Sequence, residues 1–512
     1  MAEQKHYEAI KPPKFYTIPS PHTLKLTDTS AIRLGGDWCV ICEDILSEVA
    51  SDFVKRLKLS NTETDKKIVL KLSDTEKEAY SIDFGDELIT VEGGSVNAIR
   101  YALYTMVDMN RELLFPRGRI EDKPLLNMRG FCINFSALSH ATVDEVLMMI
   151  KWAAEAKINT LLMEYESRFP FKAYPEARSP FAFTEEEVRL MVTTAESYGM
   201  EVIPLPQTFG HLEHILRSPA CAYNREQSDS YAQLCPLHDD AMSFIKGQLD
   251  EMIALHPKSK YIHIGGDETR QLGKCPKCAA FVKEHGIGAL YSQLMNRVID
   301  YVCSRGLTPM IYDDMLCAHP DAIGDLDRRA IIVYWDYWAT APEVPHLIAR
   351  YGDSPVYTYD KRWEDGTWTD ELEDVTRRVI EVFGEGGVED VEKSLGKDFM
   401  NVYGKYLGEN FPKYFKAFPY IEFFMDQGFR VITMPTGMGN TDNYLGMPNQ
   451  ARYTANIRVC CERTAEAGAM GIISSMWYPF PIPMYPIGIS TAANYSWGLT
   501  DYTASLPDWR KK

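Results

Sequence analysis

Long apolar runs, blocks of one charge sign, internal repeats and low-complexity segments are all missing from this chain of 512 residues. Without about 20 consecutive apolar residues, no segment spans a bilayer as a helix. Without a basic block, nucleic acid and anionic membrane are excluded as main partners. A basic start followed by an apolar core is also lacking. Met1-Ala2-Glu3-Gln4-Lys5-His6 leads into a polar, proline-bearing stretch, so no secretory leader is expected. Paired cysteines are scarce too: the eleven cysteines are odd in number and stand singly or as Cys460-Cys461. That pattern argues against a disulfide framework and for a reducing, cytoplasmic location. Cys275-Pro276-Lys277-Cys278 is the exception, with the spacing of half a zinc site or of a redox pair. No second pair and no ligand-spaced histidines accompany it, so no metal and no cofactor are expected.

What is present is enough for a sizeable core. With 45% hydrophobic residues, the length suits one large domain plus a smaller one, or two to three ordinary domains. A formal charge of -18, from 72 acidic and 54 basic residues, reads as a solvated acidic surface. Aromatic residues cluster late, in Tyr334-Trp335-Asp336-Tyr337-Trp338 and in Trp477-Tyr478. Such clusters suit the faces of sugars as well as cores.

Two textures divide the chain. From about Phe15 to Pro124 the pattern predicts a small α/β unit, with a helix over Asp44 to Leu57, strands over Lys67 to Leu72, Tyr80 to Phe84 and Leu88 to Val91, and a helix over Ser95 to Asn110. From Met128 onward, short apolar runs alternate with amphipathic helices, the pattern of βα units around a parallel sheet. Candidate strands begin near Arg129, Thr160, Glu201, Tyr261, Thr308, Ile331, Val356, Arg430 and Gly471. A closed barrel needs eight strands. The run at Val356 lies in a charged, glycine-dotted region and is taken as the surplus one. The expected fold is therefore α/β, a (β/α)8 TIM barrel over 125–512 with an insertion at about 341–410, preceded by a small α/β domain over 1–124.

The chemistry concentrates in Tyr261-Ile262-His263-Ile264-Gly265-Gly266-Asp267-Glu268, an apolar strand that ends in two glycines and two adjacent carboxylates. Catalytic side chains of a parallel barrel sit where its strands end. Adjacent acids repel each other, which favours a proton on one of them and suits it to proton donation. Residues adjacent in sequence do not automatically supply the facing pair of carboxylates that flanks a scissile glycosidic bond. Within that chemistry the alternative is substrate assistance, in which a sugar's own 2-acetamido oxygen attacks the anomeric carbon.

His263-Ile264-Gly265-Gly266-Asp267-Glu268 resembles the signature of family 20 glycoside hydrolases, the β-N-acetylhexosaminidases. Arg129-Gly130 is similar to that family's Arg-Gly. The runs Glu164-Tyr165-Glu166-Ser167-Arg168-Phe169-Pro170-Phe171 and Pro206-Gln207-Thr208-Phe209-Gly210-His211-Leu212-Glu213 resemble its hexosaminidase D subgroup. The resemblance implies that Asp267 orients and polarises the acetamido group and that Glu268 is the general acid and then base. It further implies that His211 supports the acid, that Arg129 grips the hydroxyls at carbons three and four, and that Trp335 and Trp477 wall the sugar pocket. Tyr312 stands where the family usually has a tryptophan, in Tyr312-Asp313-Asp314-Met315; Asp313 and Asp314 either reach substrate hydroxyls or brace loops. Trp477-Tyr478-Pro479-Phe480 lacks a glutamate that many members carry, which leaves the preference at carbon four open. No clean match exists for the family's seventh-strand tyrosine, and Tyr444 is the replacement candidate.

The activity so implied is that of a retaining exo-β-N-acetylhexosaminidase acting on terminal β-linked GlcNAc or GalNAc of a glycan. Alternatives are a family 20 activity on a sulfated sugar or a disaccharide unit such as lacto-N-biose, or a retired barrel that binds carbohydrate without turnover. A glycan or amino-sugar substrate is the expected partner, nucleic acid and membrane are not, and the oligomeric state is open.

Overall fold

In the computed structural model, the residues described are 17–109, 115–135, 140–345, 347–351, 354–358, 397–411, 414–438, 449–477 and 482–498. The chain divides into two compact units. One comprises Met1–Leu125 with Trp152–Ile158 and Ala493–Lys512, and the other Leu126–Lys151 with Asn159–Ala492. No helix among the described residues is long and apolar enough to cross a membrane.

The first unit is built on a six-stranded mixed sheet. Its order is Thr23–Ile32, Phe115–Asp122, Tyr80–Phe84, Leu88–Gly93, Lys66–Leu72 and Trp38–Ile41. Strand Tyr80–Phe84 alternates buried and half-buried residues, so one face packs on the core with Ile82 and Phe84. Helices Ser47–Leu57 and Val96–Met109 cover that core with Phe53, Leu57, Ile99 and Met106. The helices and the three central strands fall where the hydrophobic pattern predicts them. Strands Thr23–Ile32, Phe115–Asp122 and Trp38–Ile41 are additions to that expectation. The second of these carries Arg117, Arg119, Glu121 and Asp122 among its residues, and such charge masks the alternation by which a strand is read.

The second unit is a (β/α)8 barrel. Its strands, in order, are Met128–Asn134, Thr160–Glu164, Glu201–Pro204, Tyr261–His263, Thr308–Tyr312, Ile331–Trp335, Arg430–Met434 and Gly471–Met476. Every ladder between them is parallel, and the eighth strand pairs back onto the first. The hydrogen-bonded path opens between the third and fourth strands. All residues of the first and second strands are buried, as strands covered on both faces require. Cys132, Leu162, Ile203, Met310, Val333, Ile432 and Ile473 fill the interior.

The eight strands begin at the positions expected, and the run at Val356 is indeed outside the barrel. It lies in Ser354–Thr358, which pairs antiparallel with Leu347–Tyr351 as a separate hairpin. Helix Glu185–Ser197 shows how local chemistry supports the pattern. Thr184 and Glu187 form a capping box, three acids occupy the first turn, and Val188, Met191, Val192 and Ala195 form the buried stripe.

Candidate active site

The fourth barrel strand stops at His263 because the two glycines after it leave extended geometry, Gly265 at φ +67° and Gly266 at φ +93°. A side chain at Gly265 would place its Cβ 2.0 Å from Gln207 Oε1, so no larger residue fits. Ile264 and Gly265 still bond the fifth strand, through Ile264 N to the Met310 carbonyl at 2.8 Å and Tyr312 N to the Gly265 carbonyl at 3.1 Å. The next two residues are thereby delivered to the rim as Asp267 and Glu268. Gly210 lets a second loop approach, since a Cβ at this position would lie 2.3 Å from the Asp267 carbonyl oxygen. The residue after it, His211, brings Nε2 to 3.3 Å from Asp267 Oδ2 and 3.6 Å from Glu268 Oε2. His211 at φ +52° and Glu268 at φ +46° both hold left-handed backbone that non-glycine residues adopt only when the surroundings impose it.

The two acids differ in surroundings. Asp267 has a side chain 14% exposed, and its Oδ1 is buried without a hydrogen-bond partner. Glu268 is 36% exposed, its Oε1 accepts from Arg270 Nη2 at 2.6 Å, and its amide donates to Asp314 Oδ2 at 2.8 Å. Burial alone would lower the His211 pKa, but the hydrogen bond to Asp267 and the charges of Asp267, Glu164 and Glu268 outweigh it and raise the value to about 10. The imidazole is therefore a cation at neutral pH, fixed between two carboxylates.

Further carboxylates lie under this rim. Glu164, the last residue of the second strand, accepts from Asn134 Nδ2 at 2.6 Å and Gln207 Nε2 at 2.7 Å. Burial, with the charge of Glu166, pushes its pKa up to about 8 despite those two donors. Asp313 accepts the Trp335 amide at 3.1 Å and the Cys317 thiol at 3.4 Å, so it braces the ends of the fifth and sixth strands. Asp314 is raised to about 7, by burial first and then by Asp267, although the Glu268 amide opposes the shift. The Tyr312 hydroxyl is buried without a hydrogen-bond partner, and its ring lies 4.1 Å from that of His263. Burial and the charges of Glu164 and Asp267 hold that phenol well above its ordinary pKa.

Aromatic side chains form the remaining wall. Trp335, at the end of the sixth strand, stacks on Tyr337 with centroids 5.2 Å apart, and Trp338 extends the group outward at 60% exposure. Trp477, just past the eighth strand, donates from Nε1 to the Tyr337 hydroxyl at 2.7 Å. Tyr337 thus links the two tryptophans expected at the site, from within the aromatic cluster 334–338.

Arg129 lies at the base of the first strand. It is the second residue of the first strand, at the barrel's N-terminal end, and its guanidinium is fully buried, donating to the carbonyls of Leu126 at 3.0 Å and Asn127 at 3.4 Å. Five residues separate it from Asn134, about 16 Å along an extended strand. Tyr444 and Tyr478-Pro479-Phe480 lie outside the described residues. The rim also holds Glu164, Asn134 and Gln207, to which the sequence pattern assigns no role. The available signal is position: Glu164 ends its strand as Asp267 follows its own.

Among the described residues, one other cluster can hold a metal ion. Glu226, Cys235, Cys275 and Cys278 bring their ligand atoms within 4.8 Å of one another. Sequence spacing points only to the last two, because Cys235 lies 40 residues from Cys275.

Paired carboxylates beside an aromatic wall, at the C-terminal rim of a parallel eight-stranded barrel, suit the chemistry of glycoside hydrolysis. Residues 129–359 match the catalytic domain of glycosyl hydrolase family 20. It is 32% identical to hexosaminidase D of Homo sapiens over 189 residues, which are 35% of this chain and 39% of that relative. It is 30% identical to hexosaminidase D of Bos taurus over 189 residues, 35% of this chain and 55% of that relative. The chain therefore spans only about two fifths to just over half of the curated relatives it matches. Among solved structures, a β-N-acetylhexosaminidase from Bacteroides fragilis superposes with a TM-score of 0.65 at 19% identity, covering 94% of this chain and 90% of that one. At that identity the likeness speaks for the fold.

Proposed function

We propose that this protein is a retaining exo-β-N-acetylhexosaminidase that removes terminal β-linked GlcNAc or GalNAc from a glycan with assistance from the substrate's acetamido group. The observation that carries the reading is Asp267. One of its oxygens faces the protonated His211, and the other is a buried acceptor with no protein donor. A buried carboxylate oxygen left without a donor is costly unless a ligand supplies one. The N–H of a 2-acetamido group is such a donor, and the ionised carboxylate stabilises the positive charge that develops as the acetamido oxygen closes on the anomeric carbon.

Glu268 is the solvent-facing member of the pair and takes the proton-transfer role. It gives a proton to the departing glycosidic oxygen, then removes one from the water that opens the cyclic intermediate; two displacements at the same carbon retain its configuration. Asp313 is engaged by Trp335 and Cys317 and Glu164 by Asn134 and Gln207, whereas Asp314 accepts the Glu268 amide on Oδ2 and keeps a buried Oδ1 without a partner beneath the pair. Trp335, Tyr337 and Trp477 supply the apolar surface for the sugar and its methyl group. The eleven free cysteines accord with a reducing, cytoplasmic setting.

Hydrolysis of chromogenic β-GlcNAc, β-GalNAc and unacetylated β-glucoside, with a thiazoline inhibitor as control, tests this. The two acetamido sugars are turned over and the thiazoline blocks both. Comparable turnover of the glucoside would sink substrate assistance, and failure on all three would favour a sugar-binding protein.

A further inference from the structure

Four side chains away from the catalytic pair converge on one point. Cys235 Sγ lies 3.7 Å from Cys275 Sγ and 3.6 Å from Cys278 Sγ. A disulfide bond is about 2.05 Å long, so these are not bonded pairs. A tetrahedral centre with metal–sulfur bonds of about 2.3 Å has sulfur–sulfur edges of about 3.8 Å, which is the spacing seen. Glu226 completes the group. It is 2% exposed, its Oε1 accepts the Cys275 amide at 2.9 Å, and its Oε2 is buried with no hydrogen-bond partner.

The backbone around the sulfurs is prepared for a thiolate. Cys275 caps the helix Pro276–His285, and its Sγ accepts the Cys278 N–H at 3.3 Å. Cys278 is fully buried and Cys235 is 6% exposed. Three sulfurs and a buried carboxylate oxygen without a hydrogen-bond partner thus face one point as a set of four donors, and a cation there would satisfy that oxygen. Sulfur-rich tetrahedral sets select zinc among the common divalent ions, whereas magnesium and calcium take oxygen.

We propose that Cys235, Cys275, Cys278 and Glu226 bind one zinc ion, and that this ion staples the loop bearing His211 to the loop bearing Asp267 and Glu268. The connection to the rim is short on both sides. Leu234, beside Cys235, donates its amide to the Phe209 carbonyl at 3.0 Å, and Leu212 donates to the Ala232 carbonyl at 3.1 Å, so the strip ending at Cys235 holds both flanks of His211. On the other side, Gln271 lies between Glu268 and Cys275 and donates its amide to Gln233 Oε1 at 2.9 Å. The ion touches no reacting atom. It acts as a positioning element that keeps His211 against Asp267.

The test uses the full-length protein, purified with reductant and without chelator, and reads metal before activity. Elemental analysis should give one zinc per chain, and the Cys275→Ser/Cys278→Ser variant should lose it. Cobalt exchanged into the wild-type protein should show a thiolate-to-metal charge-transfer band, and Glu226→Gln should weaken metal affinity by about 10-fold or more. Zinc removal should lower the melting temperature and kcat with KM little changed, and added zinc should restore both. Absence of zinc after growth in zinc-supplemented medium, iron in its place, or a native disulfide between two of these cysteines would overturn the site. Stoichiometric zinc whose removal leaves melting temperature and kcat unchanged would overturn the staple. All these readouts except kcat are independent of the proposed activity, so failure of that reading and failure of the metal site are distinguishable.

Discussion

Two buried aspartates, one in each unit, show what separates a carboxylate that holds a fold from one that waits for a ligand. Asp122, at the end of strand Phe115–Asp122, is surrounded by donors: the His22 amide at 3.0 Å, Tyr80 Oη at 2.6 Å, Trp497 Nε1 at 2.9 Å and Lys157 Nζ at 3.4 Å. Lys157 is itself buried, with its ammonium 4.3 Å from the centre of the Trp497 ring. Burial works to raise the Asp122 pKa, but Lys157 and the donors overcome it and leave the carboxyl below its ordinary range. Asp267 has His211 on one oxygen and nothing on the other. A satisfied carboxylate contributes to stability, whereas a half-satisfied one keeps binding capacity in reserve.

The largest expected effect divides these roles. Glu268→Gln removes the proposed proton donor beside Asp267 and should lower kcat by about 10²–10⁴-fold on substrates with poor leaving groups, while the melting temperature stays near that of wild type. Near wild-type turnover of a natural disaccharide by this variant would remove Glu268 from the acid role. Asp122→Asn should do the opposite. It strands the buried Lys157 charge, and breaking a buried pair costs about 3–5 kcal/mol, read as a fall in the urea midpoint, with kcat per folded molecule unchanged. The sign with pH follows from the lowered value. The Asp122 contribution is complete above the unfolded value of 3.8 and is lost as pH falls through the lower folded one. The acid limb of the stability curve should therefore flatten in Asp122→Asn.

The same contrast explains what is legible in the sequence. Barrel strands buried on both faces leave continuous apolar runs, such as Ile331–Trp335, and their starts can be read directly. Phe115–Asp122 cannot, because its place depends on pairing with Thr23–Ile32 and Tyr80–Phe84 rather than on its own pattern. Asp267 and Glu268 stand out because two glycines end an apolar strand in front of them. Glu164 does not, since a single acid after an apolar run looks like the start of a solvated loop. Cys235 is hidden by distance along the chain; only folding brings it to Cys278.

Glu164 sharpens the comparison from a third position, as a buried carboxylate with two donors but no cation bonded to it. Its folded value of about 8 lies above the unfolded 4.5, so the folded state retains a proton that the unfolded state gives up. Its contribution is complete below pH 4.5 and is lost as pH rises through about 8. His211, raised to about 10 from 6.5, adds a loss of the same sign at higher pH. Glu164→Gln cannot ionise, so the decline in stability between about pH 6 and 8.5 should be shallower in this variant than in wild type. Equal slopes in urea titrations across that range would mean that Glu164 does not hold its proton in the folded protein.

The smallest effect concerns two tyrosines that each accept a hydrogen bond from a neighbour. Tyr337 accepts from Trp477 Nε1 at the aromatic wall, and Tyr80 accepts from Lys157 Nζ at 2.8 Å beside Asp122. Removing the Tyr337 hydroxyl deletes a bond of ordinary strength, about 0.5–1.5 kcal/mol, and removing that of Tyr80 costs more, because it also bonds Thr105 and the buried Asp122. In Tyr337→Phe the loss frees the Trp477 ring to turn, so it should appear as a KM raised about 2- to 10-fold for β-GlcNAc substrates, with the urea midpoint unchanged. In Tyr80→Phe it should appear as a lower midpoint with KM unchanged, because the hydroxyl belongs to the network that satisfies Asp122. If both variants lost stability and neither changed KM, Tyr337 would be a packing residue and the aromatic wall would lose its polar anchor.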